Sequence, residues 1–272
     1  MTREHNRWLS AYALLVYAFL FAPIVVLIIY SFNRARRGLV WQGFTLDWYP
    51  KLLANDELLD ALIVTLKVAA VAVAVSTVIG ALLGLGLARL RFRGRGATET
   101  LLLVPMVTPE IVMGLSLLLF FLQLFDAHGS VSQLWVAHIT FCISYVAIVV
   151  RARAASMDPQ LEEAARDLGA SAWGAFRFVT LPLIAPAVVA GALLAFSLSF
   201  DDYVVTTFNA GVGSSTLPLY IYGKIKFGVT PEINAISTIV VALTAVAILI
   251  AWRAGAFGTA REQPVTEEAV AA

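Results

Sequence analysis

The chain has 272 residues, of which 60% are hydrophobic and 14% are charged, with a formal net charge of +1 and a mean hydropathy of +0.84. Soluble domains average about 25% charged residues, so this chain has too little charge to cover a water-facing surface. The near-neutral charge provides no basic field for nucleic acid. Cys142 is the single cysteine, which excludes an internal disulfide and argues against a metal site. The composition predicts an integral membrane protein.

Six apolar segments are long enough to cross a membrane as helices. A span needs about 20 mostly apolar residues for a hydrocarbon core of roughly 30 Å, and a spanning helix satisfies its own backbone. The first segment exceeds the apolar core of about 7–15 residues in a cleaved signal peptide, so we expect it to be retained. We predict an all-α membrane protein with one transmembrane domain over residues 1–272 and spans at 9–32, 61–88, 101–125, 133–150, 178–200 and 233–252.

The distribution of Lys and Arg among the loops predicts the orientation. If the N-terminus is cytoplasmic, the loops assigned to the inside carry more Lys and Arg than those assigned to the outside. The cluster at 34–37 opposes this pattern. The excess on one side still predicts that both termini are cytoplasmic.

The third segment carries a carboxylate between apolar residues. Glu110 lies about ten residues into the segment, roughly 15 Å at helical rise, near the bilayer midplane. An ionisable residue at that depth costs at least ~2.5 kcal/mol on insertion scales and by default marks a pathway. Pro105 and Pro109 predict a kink just before it. The alternative is a structural ion pair between Glu110 and Lys67 of the second segment.

The fifth segment ends in an acidic pair, Asp201 and Asp202. At about eighteen residues from Leu183, roughly 27 Å along a helix, the pair is predicted at the outer mouth. A mouth with two acids would concentrate cations. Aromatic side chains such as Tyr203 and Trp48 could pack on ammonium groups. Because adjacent helical residues point about 100° apart, we expect at most one of the two acids to face a path. Carboxylates along one path suit an elongated cation.

Residues 151–177 form the predicted cytoplasmic loop between the fourth and fifth spans. Within it, Asp158 and Pro159 are typical of a helix start, and Gly169 is typical of a left-handed cap at a helix end. Ser171 can start a second short helix. The polar face includes Glu162 and Arg166 at ion-pair spacing. One face of the helix between these signals is apolar, at Leu161, Ala164, Ala165 and Leu168.

This loop resembles the EAA motif of importer-type ABC permeases. The match lies in Glu163-Ala164-Ala165, in Gly169 four positions further on, and in Leu181-Pro182, with Val179 where the family usually has Ile. The resemblance implies a coupling helix that docks on a separate ATPase subunit, with Glu163 contacting the ATPase and Gly169 providing the bend. The implied coupling set is Glu163, Ala164, Ala165, Asp167 and Gly169. No G-x-x-x-x-G-K-[ST] motif is present, so the chain is not expected to bind ATP or any cofactor itself, nor to be an enzyme.

Further stretches resemble the second permease subunit of bacterial spermidine/putrescine ABC transporters. They are residues 29–33, 41–45, 91–94, 109–113, 138–142, 199–203 and 231–235. The family often has Asp at the position of Glu110, and the resemblance implies that the acid belongs to the cation pathway. It also implies a bacterial inner-membrane location, a second similar permease subunit, two ATPase copies and an extracytoplasmic polyamine-binding protein.

Other functions remain open at this point. The cargo could be another organic cation or an amino-acid-derived solute. An ion-coupled carrier or channel would use Glu110 without ATP, and a membrane anchor would have no use for it. Two smaller signals concern packing: Gly80 and Gly84 form a G-x-x-x-G that could allow close helix approach, and His138 is expected to be a hydrogen-bonded packing residue rather than a ligand.

Overall fold

The computed structural model of the chain describes residues 3–35, 40–126, 129–226, 228 and 230–253. Over these residues the fold is helical, and an isolated bridge between Asn33 and Phe44 is the only β pairing. The helices are α1 (Arg3–Tyr30), α2 (Trp48–Leu53), α3 (Asp56–Arg89), α4 (Arg95–Val107), α5 (Glu110–Phe125), α6 (Val131–Ala155), α7 (Gln160–Asp167), α8 (Ala172–Ala175), α9 (Leu181–Phe200), α10 (Val204–Asn209), α11 (Leu217–Ile225) and α12 (Pro231–Arg253). The all-α prediction is confirmed for this part of the chain.

Four stretches of helix are long and apolar enough to cross a membrane. They are Trp8–Tyr30, Asp56–Arg89, Val131–Ala155 and Ala172–Phe200, the last running from α8 through a π-helical turn into α9. The bent pair of α4 and α5 makes a fifth if the two helices form one span. In α12 the apolar part described is shorter, Pro231–Val246. The termini predicted to be cytoplasmic, at residues 1–2 and 254–272, lie outside the described residues.

The third predicted span is broken rather than kinked. Helices α4 and α5 meet at an angle of 111°, with the break at Thr108 and Pro109. Pro109 cannot donate a backbone hydrogen bond, and the residue before a proline is driven to extended backbone; Thr108 has φ −70° and ψ 131°. The position of the bend was predicted correctly, but the helix is interrupted there rather than only kinked. The depth of Glu110 therefore does not follow from counting along a straight rod.

The chain divides into two compact units, one from the described parts of Met1–Tyr49 and Thr230–Ala272, the other from Pro50–Val229. In the first unit, α1 packs against α12. The turn after α1 is organised by buried Asn33, whose Oδ1 accepts from the backbone N–H of Gln42 and whose Nδ2 donates to the Val40 carbonyl. The Asn33 side chain thus fixes the backbone at Val40 and Gln42 by side-chain hydrogen bonds rather than by a β-sheet.

In the second unit, the core is built where α3, α6 and α9 pack against one another. A Cβ placed on Gly80 would lie 2.7 Å from Cβ of Val146, and one on Gly84 would overlap the Ala147 carbonyl oxygen. These glycines therefore let α3 and α6 approach closely, as the G-x-x-x-G spacing predicted. His138 is fully buried in the same unit and bonded through both ring nitrogens, which confirms its packing role.

The loop between α6 and α9 forms the two predicted short helices. Helix α7 begins one residue later than expected, at Gln160, whose N–H donates to Asp158 Oδ1 at 2.9 Å. It ends at Asp167, and the chain turns at Gly169 with φ +90°. There the N–H groups of Gly169 and Ala170 donate to the carbonyls of Arg166 and Ala165. These are the two bonds of a Schellman motif. At the start of α8, Ser171 Oγ accepts from the Gly174 N–H.

Candidate functional site

A cavity of about 350 Å³ lies in the second unit, where the break between α4 and α5 faces α6 and the end of α9. Its walls carry three carboxylates, three tyrosines and no cationic side chain: the lining consists of Pro105, Glu110, Met113, Phe141, Tyr145, Leu198, Asp201, Asp202, Tyr203, Val204, Val205 and Tyr222. Such a wall attracts cations and disfavours anions. Four of the five predicted pathway residues, Glu110, Asp201, Asp202 and Tyr203, are therefore brought together at one site.

Glu110 is placed at the cavity by the break in the third span. It is the first residue of α5, where a carboxylate is favoured by the N–H groups of the helix start. Its side chain is exposed, and no described side chain forms an ion pair or hydrogen bond with it. Lys67 is exposed on α3 and makes no ion pair with Glu110. The alternative expectation, a structural ion pair between Glu110 and Lys67, is therefore wrong.

Asp202 is almost wholly engaged by protein groups. Its Oδ2 accepts hydrogen bonds from the Thr206 Oγ1 at 2.7 Å and the Thr206 N–H at 2.8 Å, and its Oδ1 accepts from the Val205 N–H at 3.2 Å. The same Oδ2 lies 3.5 Å from Nε2 of His138, and the Asp202 side chain is 6% exposed. Asp202 therefore holds the first turn of α10 against α6.

Asp201 differs from its neighbour in every one of these respects. It is the C-cap residue of α9 and is exposed, and no other described residue donates a hydrogen bond to its carboxylate. The sequence predicted that at most one acid of the pair would face a path. The structure leaves Asp201 open to the cavity, while Asp202 is committed to α10.

The acid pair lies closer to Glu110 than counting along the segments predicted, and its place at an outer mouth stays a prediction. Counting from Leu183 placed it at the outer mouth, away from Glu110, whereas both acids share a cavity with Glu110. Asp202 contacts His138, which is seven residues, or about 10 Å, from the first residue of α6. The height of α9 is set by tertiary contacts such as the hydrogen bond from Arg153 Nε to the Leu183 carbonyl. Hydropathy indicates the length of an apolar segment but not how far the helix is shifted along its neighbours.

Two tyrosines from different parts of the chain stack beside these carboxylates. The ring centroids of Tyr203 and Tyr222 are 4.0 Å apart with an interplanar angle of 16°. Tyr222 lies on α11, which is held to α3 by the hydrogen bond from the Leu217 N–H to Thr65 Oγ1 at 2.7 Å. Aromatic faces next to carboxylates are suited to alkylammonium groups.

Sequence reasoning missed three aromatic residues of the cavity, Tyr222, Tyr145 and Phe141. Tyr145 and Phe141 share one face of α6 at a spacing of four, but nothing in an uncharged apolar run distinguishes such a face from ordinary packing. The remaining predicted pathway residue, Trp48, belongs to the first unit, where its Nε1–H donates to the Asn33 carbonyl at 2.8 Å. Its part in a pathway stays a prediction.

The coupling loop presents an uncovered apolar surface. No residue of α7 is buried, and Leu168 is 90% exposed. Glu163 and Asp167 of the predicted coupling set are exposed as well. The expected ion pair between Glu162 and Arg166 is wrong: Glu162 instead turns inward, where Arg89 of α3 lies 3.4 Å away.

The comparisons with known proteins agree with these features. Residues 76–257 match the family model for the binding-protein-dependent transport system inner membrane component, and the chain therefore belongs to that family. It is an inner-membrane transport component and not an enzyme.

Among curated relatives, the chain is 40% identical over 251 residues to the putrescine transport system permease protein PotI of Escherichia coli strain K12, covering 90% of this chain and 89% of that protein. It is 44% identical over 234 residues to the spermidine/putrescine transport system permease protein PotC of the same strain, covering 86% and 88%. A solved structure of a bacterial alginate ABC transporter superposes with a TM-score of 0.69 at 18% identity, covering 90% of this chain and 93% of that one. The last likeness shows the ABC importer permease fold alone.

Proposed function

We propose that this chain is a transmembrane permease subunit of an ATP-driven ABC importer that moves polyamines, putrescine or spermidine, into the cytoplasm. The observation that carries the proposal is the cavity, in which exposed Glu110 and Asp201 share the walls with stacked tyrosines and no cationic side chain. Two carboxylates without protein partners match a chain with separated ammonium groups. The two relatives named for polyamine transport support the same cargo.

The proposal includes the full topology. The chain would form one permease domain with six spans, with α4 and α5 together as the third and α12 as the sixth, and both termini would be cytoplasmic. The four long apolar helices support four of these spans by their length. Lys67 would remain on an exposed face of α3, outside the cavity lining.

The proposed partners are an ATPase dimer that binds ATP, a second homologous permease subunit and an extracytoplasmic polyamine-binding protein. The exposed apolar side chains of α7 support docking on the ATPase, because an uncovered apolar face is stabilised by a partner groove. In this arrangement Glu163 contacts the ATPase, and the left-handed Gly169 sets the angle at which α7 is presented.

Radiolabelled putrescine and spermidine uptake by proteoliposomes containing all partner subunits tests the proposal. Uptake should require ATP inside the vesicles and the binding protein outside, and unlabelled diamines and triamines should compete while neutral amino acids should not. Glu163→Lys should remove the ATPase during co-purification, whereas Glu99→Gln, on the same side of the protein, should not.

Competition by amino acids but not by polyamines would assign a different cargo to the same machinery. Uptake driven by an ion gradient without ATP would instead identify an ion-coupled carrier and overturn the ABC mechanism.

A further inference from the structure

A polar junction connects the coupling helix α7 to two of the long helices. Oε1 of Glu162 accepts a hydrogen bond from Thr180 Oγ1 at 2.8 Å and lies 3.4 Å from a terminal guanidinium nitrogen of Arg89. Thr180 is buried in the π-helical turn that leads into α9, and Arg89 is in the last turn of α3. A single carboxylate oxygen therefore joins α7 to the ends of α3 and α9.

This junction is shielded from water to a large extent. The side chains of Arg89 and Glu162 are 19% and 23% exposed. Partial burial strengthens an ion pair relative to a surface pair, and the positive charge of Arg89 is also favoured at the C-terminal end of α3. The contact is accordingly more than a solvated pair on the surface of the loop.

The rest of α7 packs only loosely on the protein. None of its residues is buried, and Leu161 and the C-cap residue Leu168 are exposed. A displacement of α7 therefore reaches the long helices through the chain at its two ends and through the contacts of Glu162. The main packing of α7 is on α8 and the π-helical turn, whereas Glu162 reaches α3 through Arg89.

The two receiving helices lead to the cavity. Helix α9 runs for twenty residues from the π-helical turn, roughly 30 Å, and Asp201 is its C-cap residue. Helix α3 packs along both α6 and α9. A displacement of Thr180 is thus applied to α9, whose far end carries the cavity carboxylate Asp201, and a displacement of Arg89 is applied to α3.

We propose that Glu162 is a positioning residue that transmits the movement of α7 to α3 and α9 through Arg89 and Thr180. The inference rests on the proposed coupling of α7 to an ATPase and assigns the transmission to a residue outside the EAA signature. In this arrangement Glu163 contacts the ATPase, and Glu162 transmits the movement of α7 toward the cavity.

The test measures ATP hydrolysis and polyamine uptake in the same proteoliposomes of the whole complex. Glu162→Gln removes the charge at nearly constant shape, and Thr180→Val removes the hydroxyl at nearly constant volume. Each should keep the ATPase bound and active while uptake per ATP hydrolysed falls by about fivefold or more. The charge exchange Arg89→Glu with Glu162→Arg should recover most of the loss seen with Arg89→Glu alone.

Glu99→Gln is the matched control. Glu99 also joins helices through charge, accepting from Arg95 Nε at 3.0 Å and Arg151 at 2.9 Å, and both partners lie outside α7. Uptake per ATP should be unchanged in this variant.

Two results would overturn the inference: an unchanged ratio in both Glu162→Gln and Thr180→Val, or no recovery in the charge exchange. Failure of the proposed function has a different signature, because then the wild-type complex itself would show no polyamine uptake linked to ATP, or Glu163→Lys would retain the ATPase. The two mild variants preserve the test if Arg89→Glu does not assemble.

Discussion

The two adjacent acids at the end of α9 should respond to substitution in opposite ways. Asp202 accepts three hydrogen bonds from the first turn of α10, so Asp202→Ala leaves the Val205 and Thr206 donors without their acceptor. Loss of a helix cap costs about 0.5–2 kcal/mol, and loss of a hydrogen bond to a charged group costs about 1.5–3 kcal/mol. The contributions overlap, and we expect a loss of about 2–3 kcal/mol of stability, or a Tm lower by about 5–10 °C.

Asp201→Ala should leave the Tm close to that of the wild type, because no other described residue donates to the Asp201 carboxylate. Its cost should fall on transport, where loss of one ammonium contact of about 1.4 kcal/mol raises the KM for polyamine roughly tenfold. Thermal unfolding of the purified complex and uptake kinetics in proteoliposomes measure the two effects. A Tm lowered equally by both substitutions, with an unchanged KM in Asp201→Ala, would refute the division of roles.

Three further substitutions test other parts of the structure. Glu110→Gln should raise the KM for polyamine roughly tenfold without affecting assembly, and kinetics identical to wild type would remove this residue from the pathway. Gly169→Val places a β-branched residue at φ +90° and should reduce uptake with little change in Tm, whereas Gly169→Asn, which tolerates this backbone, should retain it. Gly80→Ala should lower the Tm, since its Cβ would meet Val146 Cβ at 2.7 Å, and Gly86→Ala, whose Cβ would meet only Leu90 Cδ1 at an ordinary 4.0 Å, should not; equal Tm values would contradict the packing.

Local sequence signals predicted the helices and their ends well. The spans at 61–88 and 133–150 lie within α3 and α6, because the apolar length of a segment is set by the residues themselves. Asp158, Gly169 and Ser171 predicted the starts and the end of the loop helices, since capping depends on side chains and backbone a few positions apart.

Partner choice between distant residues was not accessible in this way. Glu162 had a plausible partner four residues away, yet it binds Arg89 and Thr180, which lie 73 and 18 positions from it in the chain. Tyr222 came to the cavity from α11, a short helix with no distinguishing motif. Such contacts depend on how helices dock, and periodicity along one helix does not encode docking.

From the amino-acid order alone it followed that the chain is a membrane protein, where its apolar helices run, and that acids occur at positions 110, 201 and 202. Only the folded structure brought those acids to one cavity, through a bend of 111° before Glu110 and through the height at which α9 packs. The same packing turned Asp202 toward His138 and left Asp201 open. Hydropathy and capping are properties of neighbouring residues, whereas the depth and orientation of a side chain are decided by contacts between helices far apart in sequence.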